Sequence, residues 1–184
     1  GIVTYVGHAN YPMIGSSPIF STADAGSLSN AGKPGVLLSM SCRIGDFGAS
    51  SRSGAGLGKA LCVASGGMAA VWSPCGLTYA ADNTYYAGPA VSNLFRNGVA
   101  RLGDAILFAS RTAVQSGRRD IVQKFSLLGD PALAVGDMNA SRPGPQAPAA
   151  LPTYTDWLAW AIPAVQSDMG AGLQDGDDPD GDGI

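Results

Sequence analysis

The chain has 184 residues, of which 46% are hydrophobic and 14% are charged, with a formal net charge of −3 at pH 7. This length fits about one domain with a substantial apolar core. The low charge content excludes a coiled coil and a highly charged disordered chain. The absence of a basic stripe argues against nucleic-acid binding, and no apolar run reaches the roughly 18 residues that a membrane span needs.

Short apolar runs predict four strands, at 2–6, 36–40, 68–72 and 132–135. Helical spacing predicts helices over 57–64, 91–99 and 106–114, and Ser21 or Thr22 as the cap of a short helix reaching Leu28. We expect loops at 9–20, 45–56 and 73–83, and a tight turn over 129–131. Strands of near-continuous apolar character that alternate with helices predict an α/β fold with a mostly parallel sheet.

Composition divides the chain into three predicted parts. Residues 1–137 carry the predicted strands and helices, and residues 138–153 have the Pro, Ala and Gly content of a linker. Residues 154–184 hold an aromatic patch and then an acidic tail. From Asp168 onward there are six aspartates and no lysine or arginine. Since the chain opens directly on a strand and stops within an Asp/Gly pattern, we expect a piece of a longer protein.

Two predicted strands end on reactive side chains, His8 after the first and Cys42 after the second. Ligands of open α/β sheets bind beyond the carboxyl ends of the strands. A thiolate nucleophile needs a nearby imidazole, and adjacent strands lie about 4.8 Å apart. The two residues therefore form a candidate nucleophile–base pair. The alternative is structural, because a single cysteine is often a small buried hydrophobe and a single histidine is often a hydrogen-bonded core residue.

The residues around this pair resemble the gingipain-type (C25) cysteine peptidases of the caspase-like clan. The resemblance covers about residues 1–137 and rests on five blocks in order. They are Tyr5-Val6-Gly7-His8, the block from Leu38 to Phe47, the block from Leu57 to Val71, the pocket block from Leu77 to Asn83, and the closing block from Leu127 to Leu133. The resemblance implies a caspase-like, mostly parallel sheet flanked by helices. The family's earlier strands are absent, so we expect an incomplete fragment with exposed sheet edges.

The resemblance also implies roles for individual residues. Cys42 would be the nucleophile and His8 the general base and acid. The backbone N–H groups of Cys42 and Ala9 would form the oxyanion hole, where each donor is typically worth about 10²- to 10³-fold in rate. The family usually has His-Gly-Ser where this chain has His8-Ala9-Asn10, and Ala9 suits the position only if its φ is negative.

The pocket block supplies the predicted substrate-binding residues Tyr79, Asp82 and Asn83. Tyr79 matches an aromatic wall of the family's specificity pocket. Asp82 would select a basic side chain, or would instead be a solvated loop aspartate. Asp46 follows the nucleophile and is interpreted as closing a turn with Gly45.

The other two cysteines do not form a disulfide framework. Cys62 lies on an apolar helical face and is predicted to be part of the core. Cys75 lies in a loop and receives no role, and a Cys62–Cys75 bond has no support in the sequence.

The acidic tail alternates carboxylates with glycine and proline. Aspartates at alternate positions are what an oxygen-ligated calcium site needs, and the predicted ligands are Asp175, Asp177, Asp180 and Asp182. The run resembles the start of thrombospondin type 3-like or dockerin-like calcium repeats of secreted bacterial proteins, which implies a secreted or cell-surface location. The alternative is an acidic, disordered tail.

These observations predict a secreted cysteine endopeptidase that acts on proteins or peptides through a thioester and needs no cofactor for catalysis. Its expected partners are these substrates and the missing N-terminal part of the same protein. The alternatives are an inactive caspase-like scaffold and a transpeptidase that uses the same pair of residues.

Overall fold

The structure, a computed structural model, describes residues 1–30, 32–48 and 56–135. Its strands are β1 (Ile2–Val6), β2 (Ala9–Asn10), β3 (Met13–Ile14), β4 (Phe20–Ser21), β5 (Gly35–Met40), β6 (Met68–Pro74) and β7 (Phe125–Gly129). Its helices are α1 (Thr22–Ala25), α2 (Leu57–Val63), α3 (Ala80–Phe95), α4 (Leu102–Gln115) and α5 (Arg119–Lys124). The predicted linker 138–153 and the predicted tail 154–184 lie outside the described residues.

The main sheet has four strands in the order β1-β5-β6-β7. The first three run parallel, and β7 is antiparallel to β6. The register pairs Ile2 with Val36 and Val6 with Met40, so both strands end at the same level of the sheet. The predicted α/β fold with a mostly parallel sheet is confirmed.

Each face of the sheet is covered by helices because alternate strand residues point to opposite sides. On one face Leu38 and Trp72 pack against α3 and α4, where Ala105 and Ala109 are fully buried. On the other face Leu37 and Val71 pack with residues of α1, α2 and β3. β5 is buried from Val36 to Met40, which explains its uninterrupted apolar sequence.

The segment predicted as a loop at 9–20 instead contains β2 and β3, which form a small antiparallel sheet with β4. Ser21 caps α1 as predicted, since its backbone N–H and its hydroxyl both donate to the Asp24 carboxylate, at 2.8 and 2.7 Å. The helix ends at Ala25 and does not reach Leu28.

The prediction of a strand at 132–135 was wrong, whereas the closing block from Leu127 to Leu133 overlaps the last observed strand. The strand is β7, which includes Leu127 and Leu128 and pairs with β6. Residues 132–135 form only an isolated bridge, between Ala134 and Arg101. The apolar pattern placed this strand too late in the chain, because β7 follows α5 directly with no turn residues between them.

The helix predicted at 91–99 is the last part of the longer α3, which ends at Phe95. The predicted loop at 73–83 is accordingly shorter, since β6 continues to Pro74 and α3 begins at Ala80.

Within the described residues, the outer edge of β1 pairs with no other strand. Val3 and Val6 on this strand are 50% and 61% exposed. Unpaired apolar edge strands are uncommon in stable domains because they invite pairing with another strand. No helix in the described part of the chain is long and apolar enough to cross a membrane.

Candidate active site

The site lies at the carboxyl edge of the parallel sheet, where β1, β5 and β6 end. Val6 and Met40 are paired, and the backbone N–H of Gly7 donates to the Met40 carbonyl at 3.3 Å. His8 and Cys42 each follow two residues beyond this pair. The topology therefore brings the predicted base and nucleophile to neighbouring strand ends at the same level.

The backbone of His8 is held by two hydrogen bonds to its carbonyl oxygen. The Tyr5 hydroxyl donates at 2.7 Å and the Gly15 N–H donates at 2.8 Å. Tyr5 folds back across Gly7, where an added Cβ would lie 2.7 Å from the phenolic oxygen. The His8-Ala9 segment is thus fixed at the start of β2, while His8 itself remains exposed.

Ala9 has a backbone conformation that an alanine can adopt without strain. Among the described residues, Arg43 is the one non-glycine with a positive φ, at 60°. The φ of Ala9 is therefore outside the left-handed region, and its Cβ packs beside the second core cluster.

Cys42 is partly buried, and its sulfur lies 3.5 Å from the carbonyl oxygen of Thr78. The carbonyl of the preceding residue, Ser41, accepts from the Thr78 hydroxyl at 2.8 Å and from the Asn83 amide at 3.3 Å. Two side chains from the segment after β6 therefore hold the peptide that joins Ser41 to Cys42. Sequence reasoning missed Thr78, although it lies inside the pocket block beside Tyr79.

The turn after Cys42 is strained and tightly anchored. Arg43 has a φ of 60°, a conformation that costs roughly 1–2 kcal/mol for an L-residue. Its N–H donates to Gly76, and the Gly45 N–H donates to Pro74, at 3.1 and 2.9 Å. Gly45 fits because an added Cβ would lie 2.6 Å from a carbonyl oxygen of β6. Strained residues of this kind concentrate at functional sites.

Asp46 closes this turn, as predicted. Its N–H donates to the Arg43 carbonyl at 3.2 Å, and its carboxylate forms an ion pair with the Arg43 guanidinium at 3.2 Å. The same guanidinium lies 5.6 Å from the centre of the Tyr11 ring. The turn is thereby connected to the segment between β2 and β3.

The three predicted pocket residues lie in different environments. Tyr79 is the residue before α3 and is 76% exposed. Asn83 is buried and contacts Ser41 as described, while its Oδ1 has no hydrogen-bond partner. Asp82 is in the first turn of α3 and forms an ion pair with Arg118. It is therefore not the solvated loop residue considered above.

The three cysteines are free thiols. Cys62 packs beside the second core cluster, as predicted, and burial raises the pKa of its thiol. Cys75 lies beneath the turn after Cys42, where its thiol donates to the Ser126 hydroxyl at 3.1 Å. The Cys75 sulfur also lies 3.4 Å from the carbonyl oxygen of Gly45. Cys75 therefore has a packing role that its position in the sequence did not reveal.

No group of three or more His, Cys or Asp side chains within the described ranges is placed to hold a metal ion. The predicted calcium ligands Asp175, Asp177, Asp180 and Asp182 lie outside the described residues.

Known proteins share this architecture. A crystal structure of gingipain R, named as an Arg-specific cysteine proteinase, is 22% identical with a TM-score of 0.65, over 74% of this chain and 33% of that chain. A complex of the pro- and mature domains of Porphyromonas gingivalis RgpB is 19% identical with a TM-score of 0.65, over 74% and 34%. A structure described only as a protease is 14% identical with a TM-score of 0.61, over 72% and 35%.

The chain thus spans about a third of the length of each of these structures, and they share its fold. The search of curated proteins found no match. The model of Peptidase family C25 matches residues 1–136, about three quarters of the chain. The chain therefore belongs to Peptidase family C25.

Proposed function

We propose that this chain is part of the catalytic domain of a cysteine endopeptidase, with Cys42 as nucleophile and His8 as general base and acid. The observation that carries the proposal is the position of these residues, each two residues beyond the Val6–Met40 pair on neighbouring parallel strands. Membership of Peptidase family C25 supports the same chemistry.

In the proposed reaction, His8 takes the proton of the Cys42 thiol and the sulfur attacks the carbonyl carbon of a peptide bond. The negative charge on the carbonyl oxygen would be stabilised by the N–H groups of Cys42 and Ala9. The amine leaves with the proton from His8, and a thioester remains on the sulfur. Water, activated by the same imidazole, then hydrolyses the thioester and releases the free thiol.

The test uses the full natural protein and a peptide library. Cys42→Ala is expected to lower kcat/KM by at least about 10³-fold and His8→Ala by at least about 10²-fold. Cys62→Ala is the matched control, because Cys62 lies on α2 and packs beside the second core cluster. Activity that survives in Cys42→Ala would contradict the proposal.

Two other outcomes would identify the alternative functions. A natural protein that binds peptides without cleaving them would be a scaffold. A product in which the acyl fragment is joined to an added amine would identify a transpeptidase.

We propose that the outer edge of β1 pairs with a strand from an earlier part of the same protein. The exposure of Val3 and Val6 on an unpaired edge supports this proposal. Hydrogen exchange should then be slower at the β1 amide groups in the full natural protein than in the isolated chain 1–184.

We further propose that the acidic tail binds calcium and that the protein acts outside the cell, where calcium is abundant. The alternating aspartates support this proposal. Calorimetric titration of the full protein should show calcium binding that is lost when Asp180 and Asp182 are both changed to asparagine.

A further inference from the structure

The two chains that carry the candidate pair separate beyond the end of the sheet. The Gly7 N–H still donates to the Met40 carbonyl, at 3.3 Å. After this bond, the His8 carbonyl accepts from the N–H of Gly15, whereas the turn that follows Cys42 is bonded to the segment after β6. Because different neighbours hold the two chains here, their separation depends on contacts made farther along each of them.

The Arg43 side chain joins the turn after Cys42 to the hairpin that β2 and β3 form. Its guanidinium lies 5.6 Å from the centre of the ring of Tyr11, which is at the tip of this hairpin. The Asp46 carboxylate, also in the turn, holds the same guanidinium at 3.2 Å. A planar cation is attracted to an aromatic face, so this contact connects the segment after Cys42 with the segment after His8.

The start of α2 makes a second connection between the same two segments. The Leu57 N–H donates to the Tyr11 carbonyl at 2.6 Å, and the Gly58 N–H donates to the Ile44 carbonyl at 3.1 Å. These consecutive N–H groups lie in the first turn of the helix, where the backbone donors have no acceptor within the helix. The hairpin and the turn are thus joined by backbone and side-chain contacts that meet at Tyr11.

We infer that Arg43 is a positioning residue, which holds the hairpin after His8 at the separation from Cys42 that proton transfer needs. The inference rests on the proposed function, because it assigns a role in the same reaction. Transfer of a proton from a thiol to an imidazole requires hydrogen-bond reach, and a misplacement of about 1 Å can cost about 10²-fold in rate. Arg43 acts through the ring of Tyr11 and does not need to touch the substrate.

The experiment measures kcat and KM for peptide cleavage by variants of the full natural protein. Tyr11→Leu removes the ring but keeps the charges of Arg43 and Asp46, so its effect is not a direct effect of charge on the thiol. It is expected to lower kcat about tenfold and to change KM less than about twofold. Tyr11→Phe keeps the ring face and should retain kcat within about twofold.

Two further variants test whether Arg43 acts through this ring. Arg43→Gln should lower kcat about tenfold, and the double variant with Tyr11→Leu should lose no more than either single variant, since both remove one contact. Arg96→Gln is the control, because it removes the same charge from an exposed arginine that follows α3, and it should leave kcat unchanged.

Alkylation of Cys42, followed by mass spectrometry, gives a second measurement that needs no substrate. In Tyr11→Leu, the rate at pH 6 relative to the rate at pH 9 should fall about fivefold, because the imidazole accepts the thiol proton only when it is within reach. A purely structural role would lower the free energy of unfolding without changing this ratio.

The outcomes distinguish this inference from the proposed function. Unchanged kcat and an unchanged alkylation ratio in Tyr11→Leu, with Cys42→Ala inactive, would overturn the positioning role and leave the peptidase function intact. Equal losses in Tyr11→Phe and Tyr11→Leu, or losses that multiply in the double variant, would also overturn it. If the natural protein cleaved no peptide and Cys42 were no more reactive than Cys62, the peptidase function would be refuted together with the inference.

Discussion

The Ser41 carbonyl anchors the peptide that precedes Cys42, and its two side-chain donors can be removed separately. Thr78→Val deletes the hydroxyl that donates at 2.8 Å and preserves the shape of the side chain. Asn83→Ala deletes the amide that donates at 3.3 Å. Each single change leaves the carbonyl with the other donor.

The magnitudes follow from this shared acceptor. Loss of one hydrogen bond costs about 1 kcal/mol of unfolding free energy, so Thr78→Val should lower it by about that amount. Asn83→Ala loses one hydrogen bond and leaves a small cavity, but it also removes the buried Oδ1 that has no partner, so these effects partly cancel and the net cost should again be about 1 kcal/mol. The double variant removes both side-chain donors from a carbonyl beside buried residues, which costs about 1–3 kcal/mol in addition to the first loss.

We therefore expect a coupling of about 1 kcal/mol in the double-mutant cycle, measured by urea unfolding. The alkylation rate of Cys42, followed by mass spectrometry, should fall in the double variant while that of Cys62 stays the same. Strict additivity of the two free-energy changes, together with an unchanged alkylation rate of Cys42, would refute the anchoring role of this carbonyl.

Three further predictions test other parts of the structure. Gly45→Ala should lower the unfolding free energy by about 1–3 kcal/mol, because the added Cβ would lie 2.6 Å from a carbonyl oxygen, whereas Gly76→Ala meets no atom within 4 Å and should be nearly neutral in urea unfolding. Burial raises the pKa of Cys62, so in mass spectrometry its alkylation should increase only at a higher pH than that of an exposed thiol. Hydrogen bonds from Ser21 lower the pKa of Asp24, so the stabilisation is present above the ordinary value and is lost as the pH falls through the lowered one; Ser21→Ala should raise this pKa in an NMR titration.

The sequence predicted those helices and strands whose own apolar pattern is sufficient to define them. The strand at 36–40 is apolar because it is buried on both faces, and the helix at 106–114 has regular spacing because one side faces the sheet. The strand β7 carries no such signal, since its residues are only partly covered and its place depends on pairing with β6.

The sequence predicted which residues lie at the strand ends of the candidate site, but not the side-chain contacts around them. His8 and Cys42 were predicted as site residues because each follows a recognisable strand, and the structure places both at the same edge of the sheet. The ion pair between Asp82 and Arg118 joins residues 36 positions apart, and no local pattern reveals it. The buried contact of Asn83 likewise depends on how α3 meets the end of β5.

The strained backbone at Arg43 and the hydrogen bonds to Ser41 together fix the position of Cys42. If the residue after Cys42 were extended, the chain would continue in the direction of the buried strand β5. The positive φ of Arg43 turns the chain there, at a cost of roughly 1–2 kcal/mol. Hydrogen bonds to Gly76 and Pro74 on one side, and to Ser41 on the other, offset that cost. Cys42 is thus held between two fixed peptides, and its sulfur stays at the edge of the sheet.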